Sequence, residues 1–264
     1  MIWITHRRRR KHTDTSSPFK WLVRLVRWSF YLLLLVLIVD AFYIALIWPD
    51  WDRLAVGPVP KSRFISDYQH KQRRDRELAA LRWQPVTLAD IPTDVVRAVV
   101  VAEDSRFYQH HGFDFIAFKD AMNYNLAEGR FVLGASTISQ QTTKNLFLSS
   151  ARNPLRKWHE LILTWGMERR LKKRRILELY LNIAEFGPGI YGVQAASYAY
   201  WGVPVSTLTL DQAVAVAASL PSPKKHNANT RTERFKKRVV KVTGFMRRFD
   251  HEWHERASRR ADGL

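Results

Sequence analysis

The apolar positions begin with one unbroken run. Trp28 to Trp48 is 21 residues long, carries a single charge, Asp40, and holds thirteen Leu, Ile, Val or Phe residues. As a helix it would span roughly 30 Å, the hydrocarbon thickness of a bilayer. On the insertion scale its apolar side chains contribute about −4 to −8 kcal/mol against about +3 for the Asp. The run therefore reads as a transmembrane helix. It is longer than the apolar core of a cleaved signal peptide, and no small-x-small site precedes Trp48-Pro49-Asp50-Trp51.

The pattern then changes. Pro49, Pro58, Pro60, Pro85 and Pro92, with a charged stretch from Lys71 to Arg82, mark residues 49–92 as a linker and lead-in. From Thr93 the spacing is helical. Thr93 or its neighbour can cap, and Val95, Val96, Val99, Val100 and Ala102 form an apolar stripe. Further helices are expected over 115–126, 137–148, 155–182 (one long helix or two abutting), 193–200 and 210–220. Glycine or proline lies near most of the intervening breaks. Phe235, Val239, Val242, Met246, Phe249 and Trp253 recur at three- and four-residue spacing, predicting an amphipathic basic helix. No alternating strand pattern of useful length occurs, so the expected fold class is mostly α.

Charge adds topology to this picture. The chain of 264 residues carries 43 Lys plus Arg against 24 Asp plus Glu. Residues 1–27 contribute +7 and residues 224–264 contribute +8, leaving +4 for the 196 between. Arg7 to Lys11, Lys20, Arg24 and Arg27 precede the apolar run, and the positive-inside rule places them in the cytoplasm with the remainder across the membrane. A basic arm beside a membrane span has its reason in topology and anionic lipid, so no nucleic acid is expected as a partner. The absence of cysteine excludes a disulfide framework, a zinc ribbon and a thiol nucleophile.

Acid–base chemistry then falls to carboxylates, His, Ser and Lys. Glu103 ends an apolar helix turn, Val99 to Ala102, and a carboxylate against apolar walls gains proton affinity. Taken alone, a solvated helix-end acid is the commoner reading. Asp104 can hold the following turn by backbone hydrogen bonds, and a local hydrogen bond suits His110 better than a metal. The run Gly134 to Asn145 places a Ser136 or Thr137 cap before Gln140, Gln141 and Lys144, a surface suited to an oxygen-rich anion. Arg152, Arg156 and Lys157 add cations that can bind phosphate oxygens, and Glu160 lies one helical turn after Arg156.

Together these clusters resemble a known family. Glu103-Asp104-x-x-Phe107-x-x-His110-x-Gly112, Gly134-Ala135-Ser136-Thr137-Ile138-Ser139-Gln140-Gln141-x-x-Lys144-Asn145, Arg156-Lys157-x-x-Glu160 and Arg175-Ile176-Leu177-Glu178-Leu179-Tyr180-Leu181-Asn182 are similar to the ordered motifs of glycosyltransferase family 51, which contains the peptidoglycan transglycosylases. A fifth stretch, Gly192 to Gly202, also matches, and the resemblance covers roughly residues 80–225. The run Asn182 to Gly192 looks like the monofunctional members. Arg175 stands where some members carry a Glu, so no catalytic carboxylate is assigned there.

The resemblance implies a lysozyme-like helical glycosyltransferase domain preceded by one N-terminal transmembrane helix. The expected divisions are a cytoplasmic basic tail (1–27), an anchor (28–48), a juxtamembrane linker (49–79), the transglycosylase domain (80–250) and a basic tail (251–264), with no room for a transpeptidase. The implied substrate is lipid II, added to a nascent glycan strand by an inverting reaction that releases undecaprenyl pyrophosphate. Glu103 would be the general base and Glu160 the second catalytic carboxylate. Asp104, Phe107, His110, Ser136, Thr137, Gln140, Gln141, Lys144, Arg152, Arg156 and Lys157 would serve the substrate. No organic cofactor is implied; a divalent cation (Mg or Mn), held through Glu160, is the one cofactor the resemblance leaves open. The expected location is the bacterial inner membrane, with the enzyme domain periplasmic. Membrane lipid and cell-division or elongation proteins are the remaining expected partners. Phe131, Val132 and Leu133 are candidates for dipping into the bilayer. The competing readings are a membrane-tethered lytic glycosidase and a non-catalytic cell-wall scaffold.

Overall fold

The computed structural model describes residues 18–130, 134–151 and 153–261. They divide into two compact units, residues 1–48 and residues 49–264. The first is one helix, α1 (Pro18–Leu46). Its stretch Phe19–Leu46 has a window of mean hydropathy 2.4 and is by length and composition able to cross a membrane. The helix begins ten residues before the expected span. Lys20, Arg24 and Arg27 are good helix formers, so the basic segment continues the helix rather than breaking it. It stops before Trp48-Pro49, because the residue preceding a proline is pushed out of the α region.

The second unit begins earlier than the expected domain. Residues 49–79 fold as α2 (Trp51–Val56) and α3 (Arg63–Arg74). Trp51, Leu54, Ile65 and Tyr68 are buried at three-residue spacing, while Pro58 and Pro60 fall in the connection. The prolines therefore punctuate two helices instead of making a linker. Ser62 caps α3 by accepting from the Ile65 N–H. Arg175 holds α2 from below, donating to the carbonyls of Leu54 (2.9 Å) and Gly57. Those carbonyls lie at the open C-terminal end of α2, where a cation satisfies orphan acceptors.

Eight further helices and a small sheet complete the described unit. They are β1 (Arg82–Trp83), α4 (Thr93–Glu103), α5 (Phe115–Ala127), α6 (Ile138–Phe147), α7 (Pro154–Arg170), α8 (Lys173–Ile183), β2 (Glu185–Gly187), β3 (Ile190–Tyr191), α9 (Val193–Trp201), α10 (Leu210–Ser219) and α11 (Glu233–Ala261). The region 155–182 is thus two helices, broken where buried Leu171 closes α7. Thr93 is the first residue of α4 and makes no side-chain cap. The sheet has order β1-β3-β2, with β1 parallel and β2 antiparallel to β3. Strands of two or three residues are too short for alternation to show in a sequence.

Packing places α4 against α10 and α11, and α6 against α7 and α8. Val95, Ala98 and Val99 on α4 are fully buried, as are Ile176, Leu177, Leu179 and Leu181 on α8. Asn182, at the end of α8, is also fully buried. Its side-chain oxygen accepts from Val86 N–H (2.8 Å), and its amide donates to the carbonyls of Val86 (2.9 Å) and Glu178 (2.8 Å). It fastens the lead-in to the core. Gly192 follows with φ +83°, where an added Cβ would stand 2.7 Å from the Asn182 carbonyl. Only glycine lets α9 start so close to α8.

Candidate active site

The site forms where α4, α6, α7 and α11 converge. Glu103 is the last residue of α4, and its side chain is 11% exposed. One carboxylate oxygen accepts from Gln141 Nε2 of α6 at 3.0 Å. The other lies 3.0 Å from Arg238 Nη2 of α11. Gln141 is aimed in turn by Tyr180 of α8, whose hydroxyl donates to the amide oxygen at 3.3 Å. Burial raises the Glu103 proton affinity above the ordinary carboxylate range. Gln141, Arg238 and Lys144 oppose that shift, and Asp104 adds to it.

Asp104, Phe107 and His110 lie buried behind Glu103. Asp104 accepts from the Ile138 N–H at 3.0 Å, so the residue after Glu103 caps the start of α6. His110 Nδ1 accepts from Gly112 N–H at 3.2 Å, which leaves the proton on Nε2, 3.0 Å from Asp104. Phe107 is fully buried, with Lys173 Nζ 4.4 Å from its ring centroid. These three residues tie the first motif to the second.

Thr137 caps α6 and forms a reciprocal capping box with Gln140, both buried. The Thr137 hydroxyl donates to the Gly112 carbonyl at 2.7 Å. Their polar atoms thus hold the helix start, while Ser136 is exposed beside them. Two cavities meet at this loop. One of about 820 Å³ is lined by Glu103, Ser136, Lys241, Phe245 and Arg248 among others. One of about 420 Å³ is apolar, with Phe113, Phe115, Phe118, Met122 and Leu161 in its wall. Gly134, Ala135 and Ser136 line both.

Asn153 caps α7, whose first turns carry Arg156, Lys157 and Glu160. Glu160 is almost fully buried and receives Arg156 Nη1 at 2.9 Å and Lys157 Nζ at 2.5 Å, one on each oxygen. Lys144 shares this field. Burial lowers its proton affinity, Glu160 and Glu103 raise it, and Arg156 and Lys157 lower it. Two cations compensated by one carboxylate, with a third beside them, leave a net positive cluster that Lys144 couples to Glu103. Arg152, expected to join it, lies outside the described residues, as do Phe131, Val132 and Leu133.

Asp104, His110 and Asp114 bring ligand atoms within 4.8 Å of one another, a buried group that could hold a metal ion. Its atoms are nonetheless committed to protein. The His110 nitrogen facing Asp104 carries the proton. Asp114 caps α5 by accepting from the N–H groups of Ile116 and Ala117, and its other oxygen lies 3.1 Å from Arg106 Nε. Glu160, the expected route to a cation, already has an ion pair on each oxygen. As folded, these donors are engaged in protein hydrogen bonds and ion pairs, which a divalent ion would have to displace.

The residues missed by sequence reasoning come from α11. Arg238, Lys241, Phe245 and Arg248 were legible only as parts of an amphipathic basic helix, more than 130 positions from Glu103.

Known proteins resemble this chain over most of its length. Residues 71–247 match the family described as Transglycosylase. The biosynthetic peptidoglycan transglycosylase of Nitrosospira multiformis is 40% identical over 185 residues, 70% of this chain and 80% of that protein. Those of Thiobacillus denitrificans (43% over 176 residues, 67% and 75%) and Laribacter hongkongensis (41% over 179 residues, 68% and 78%) are similarly related. The chain therefore belongs to the transglycosylase family.

Proposed function

We propose that this protein is a membrane-anchored peptidoglycan glycosyltransferase that polymerises lipid II into β-1,4 glycan strands. The observation that carries the reading is a shielded carboxylate, Glu103, set in a cleft and coupled through Lys144 to a preorganised cationic cluster. Glu103 takes the proton from the 4-hydroxyl of the acceptor GlcNAc as that oxygen attacks C1 of the donor MurNAc. The bond from C1 to the lipid pyrophosphate breaks on the opposite face, so configuration inverts. A base with raised proton affinity suits this step better than an ordinary carboxylate. Lys144, Arg156 and Lys157 stabilise the charge that develops on the departing pyrophosphate, and Glu160 fixes two of those cations in place. Ser136 contacts substrate oxygens directly. Asp104, Phe107, His110, Thr137, Gln140 and Gln141 serve the substrate by placing the groups that touch it.

The lipid part of the substrate has a matching surface. On α5, Phe115, Phe118, Met122 and Leu126 are exposed, as are Trp158 and Trp165 on α7. Contiguous exposed apolar surface of this kind marks a membrane or partner contact. It continues into the apolar cavity that joins the Glu103 cleft at Ser136. A tethered enzyme meets its lipid substrate at high effective concentration.

Purified protein supplied with lipid II tests the reading, with product sized on a gel. Glu103→Gln is expected to lower polymerisation by at least about 100-fold, and a chelator to leave the wild-type rate unchanged. Full activity in E103Q would remove Glu103 as the base. Release of fragments from finished glycan without polymer would favour a lytic glycosidase.

A further inference from the structure

We infer that Arg238 is a positioning residue for Glu103, aiming its carboxylate into the cleft. The inference rests on the reading of Glu103 as the base. Arg238 lies on the inward face of α11, three residues after Phe235 and four before Val242, both buried. A guanidinium in that apolar stripe is costly unless it meets a buried acceptor. It meets two: Nη2 is 3.0 Å from Glu103 Oε1 and 3.4 Å from the Ala102 carbonyl. Its Nε is buried without a hydrogen-bond partner, so these two bonds set the orientation of the group. Phe235, Val242 and Met246 fasten the helix that carries it.

The two oxygens of Glu103 are therefore gripped from opposite sides, by an amide from α6 and by a cation from α11. The charged and titratable groups facing Glu103 are Asp104 beside it, Lys144 on α6, Tyr180 on α8 and Arg238 on α11. Gln141 supplies a neutral hydrogen bond. Lys144 stands close to Glu160 and answers to both carboxylates. Arg238 is the cation in direct contact with Glu103. Its charge opposes the rise in proton affinity that burial causes, and it leaves the remaining lone pairs free to accept the substrate proton.

The test uses the full chain and lipid II, with kcat and kcat/KM followed against pH for R238M and R238K. In R238M, kcat is expected to fall about 10- to 100-fold, with the acidic limb of the kcat/KM profile moved to higher pH. R238K keeps a cation, so its acidic limb is expected at the wild-type position. A merely structural role would lower activity or melting temperature without moving the limb. An unmoved limb in folded R238M overturns the inference. If R238M does not fold, R238Q takes its place: a limb moved to higher pH supports the inference, and an unmoved limb overturns it. Failure here is distinct from failure of the base assignment. Wild-type polymerisation by E103Q would sink the latter, whereas inactive E103Q beside an unmoved R238M limb sinks only the role of Arg238.

Discussion

Single side chains in this protein gain their chemistry from what surrounds them. Glu103 and Glu185 are both partly shielded acids whose burial raises their proton affinity, yet their partners differ. Glu103 is held on both oxygens. Glu185 has a buried oxygen without a hydrogen-bond partner, 3.6 Å from Lys224. The folded state therefore binds a proton at Glu185 more readily than the unfolded chain does. That contribution to stability is present below the unfolded pKa and is lost as pH rises through the folded one. Glu185→Gln removes the titration and keeps the shape. Its melting temperature is expected to exceed wild type by a few degrees at pH 8, with the gain vanishing near pH 4. Equal effects at both pH values would show that charge is not the cause.

Among the elements, α11 changes meaning most between sequence and structure. Its charge pattern suggests a helix lying on anionic lipid. The helix instead runs from Glu233 to Ala261 and packs on α4 and α10. Phe235, Val242 and Met246 are at most 7% exposed, each burying roughly 1.5–3 kcal/mol of apolar stabilisation. Truncation after Arg231 is accordingly expected to unfold the second unit or to lower its melting temperature by more than about 5 °C. It should also abolish polymerisation. A truncated chain that melts as wild type would restore the reading of α11 as a peripheral lipid contact. The short α6 shows the opposite balance. Its start is specified locally by the Thr137 and Gln140 box, and its placement by Asp104.

At the scale of the molecule, an apolar helix and an enzyme unit are joined near Trp48-Pro49. By the positive-inside rule, the basic residues before and within the start of α1 predict a cytoplasmic N-terminus with residues 49–264 across the membrane. Reporter fusions test this orientation. A phosphatase fused after Leu264 is expected to be active, and one fused before Lys20 inactive. The reverse pattern would contradict it. The matched family region, 71–247, leaves out α2 and the first part of α3, although Arg175 binds α2 and buried Ile65 anchors α3. The folded unit is therefore larger than its recognisable motifs.

The sequence by itself determined the long apolar N-terminal helix, most of the other helices and the family. Those properties rest on local information: a 21-residue apolar run, three- and four-residue periodicity, capping residues, and motifs whose members lie within a dozen positions of one another. Only the tertiary structure decided three things. It joined β1 to β3 across more than a hundred residues, and it turned 49–79 from linker into two packed helices. It also brought Arg238 to Glu103. Each depends on contacts between segments far apart in the chain. Such pairings leave no period to read, because the burial and charge that select them exist only after the helices have met.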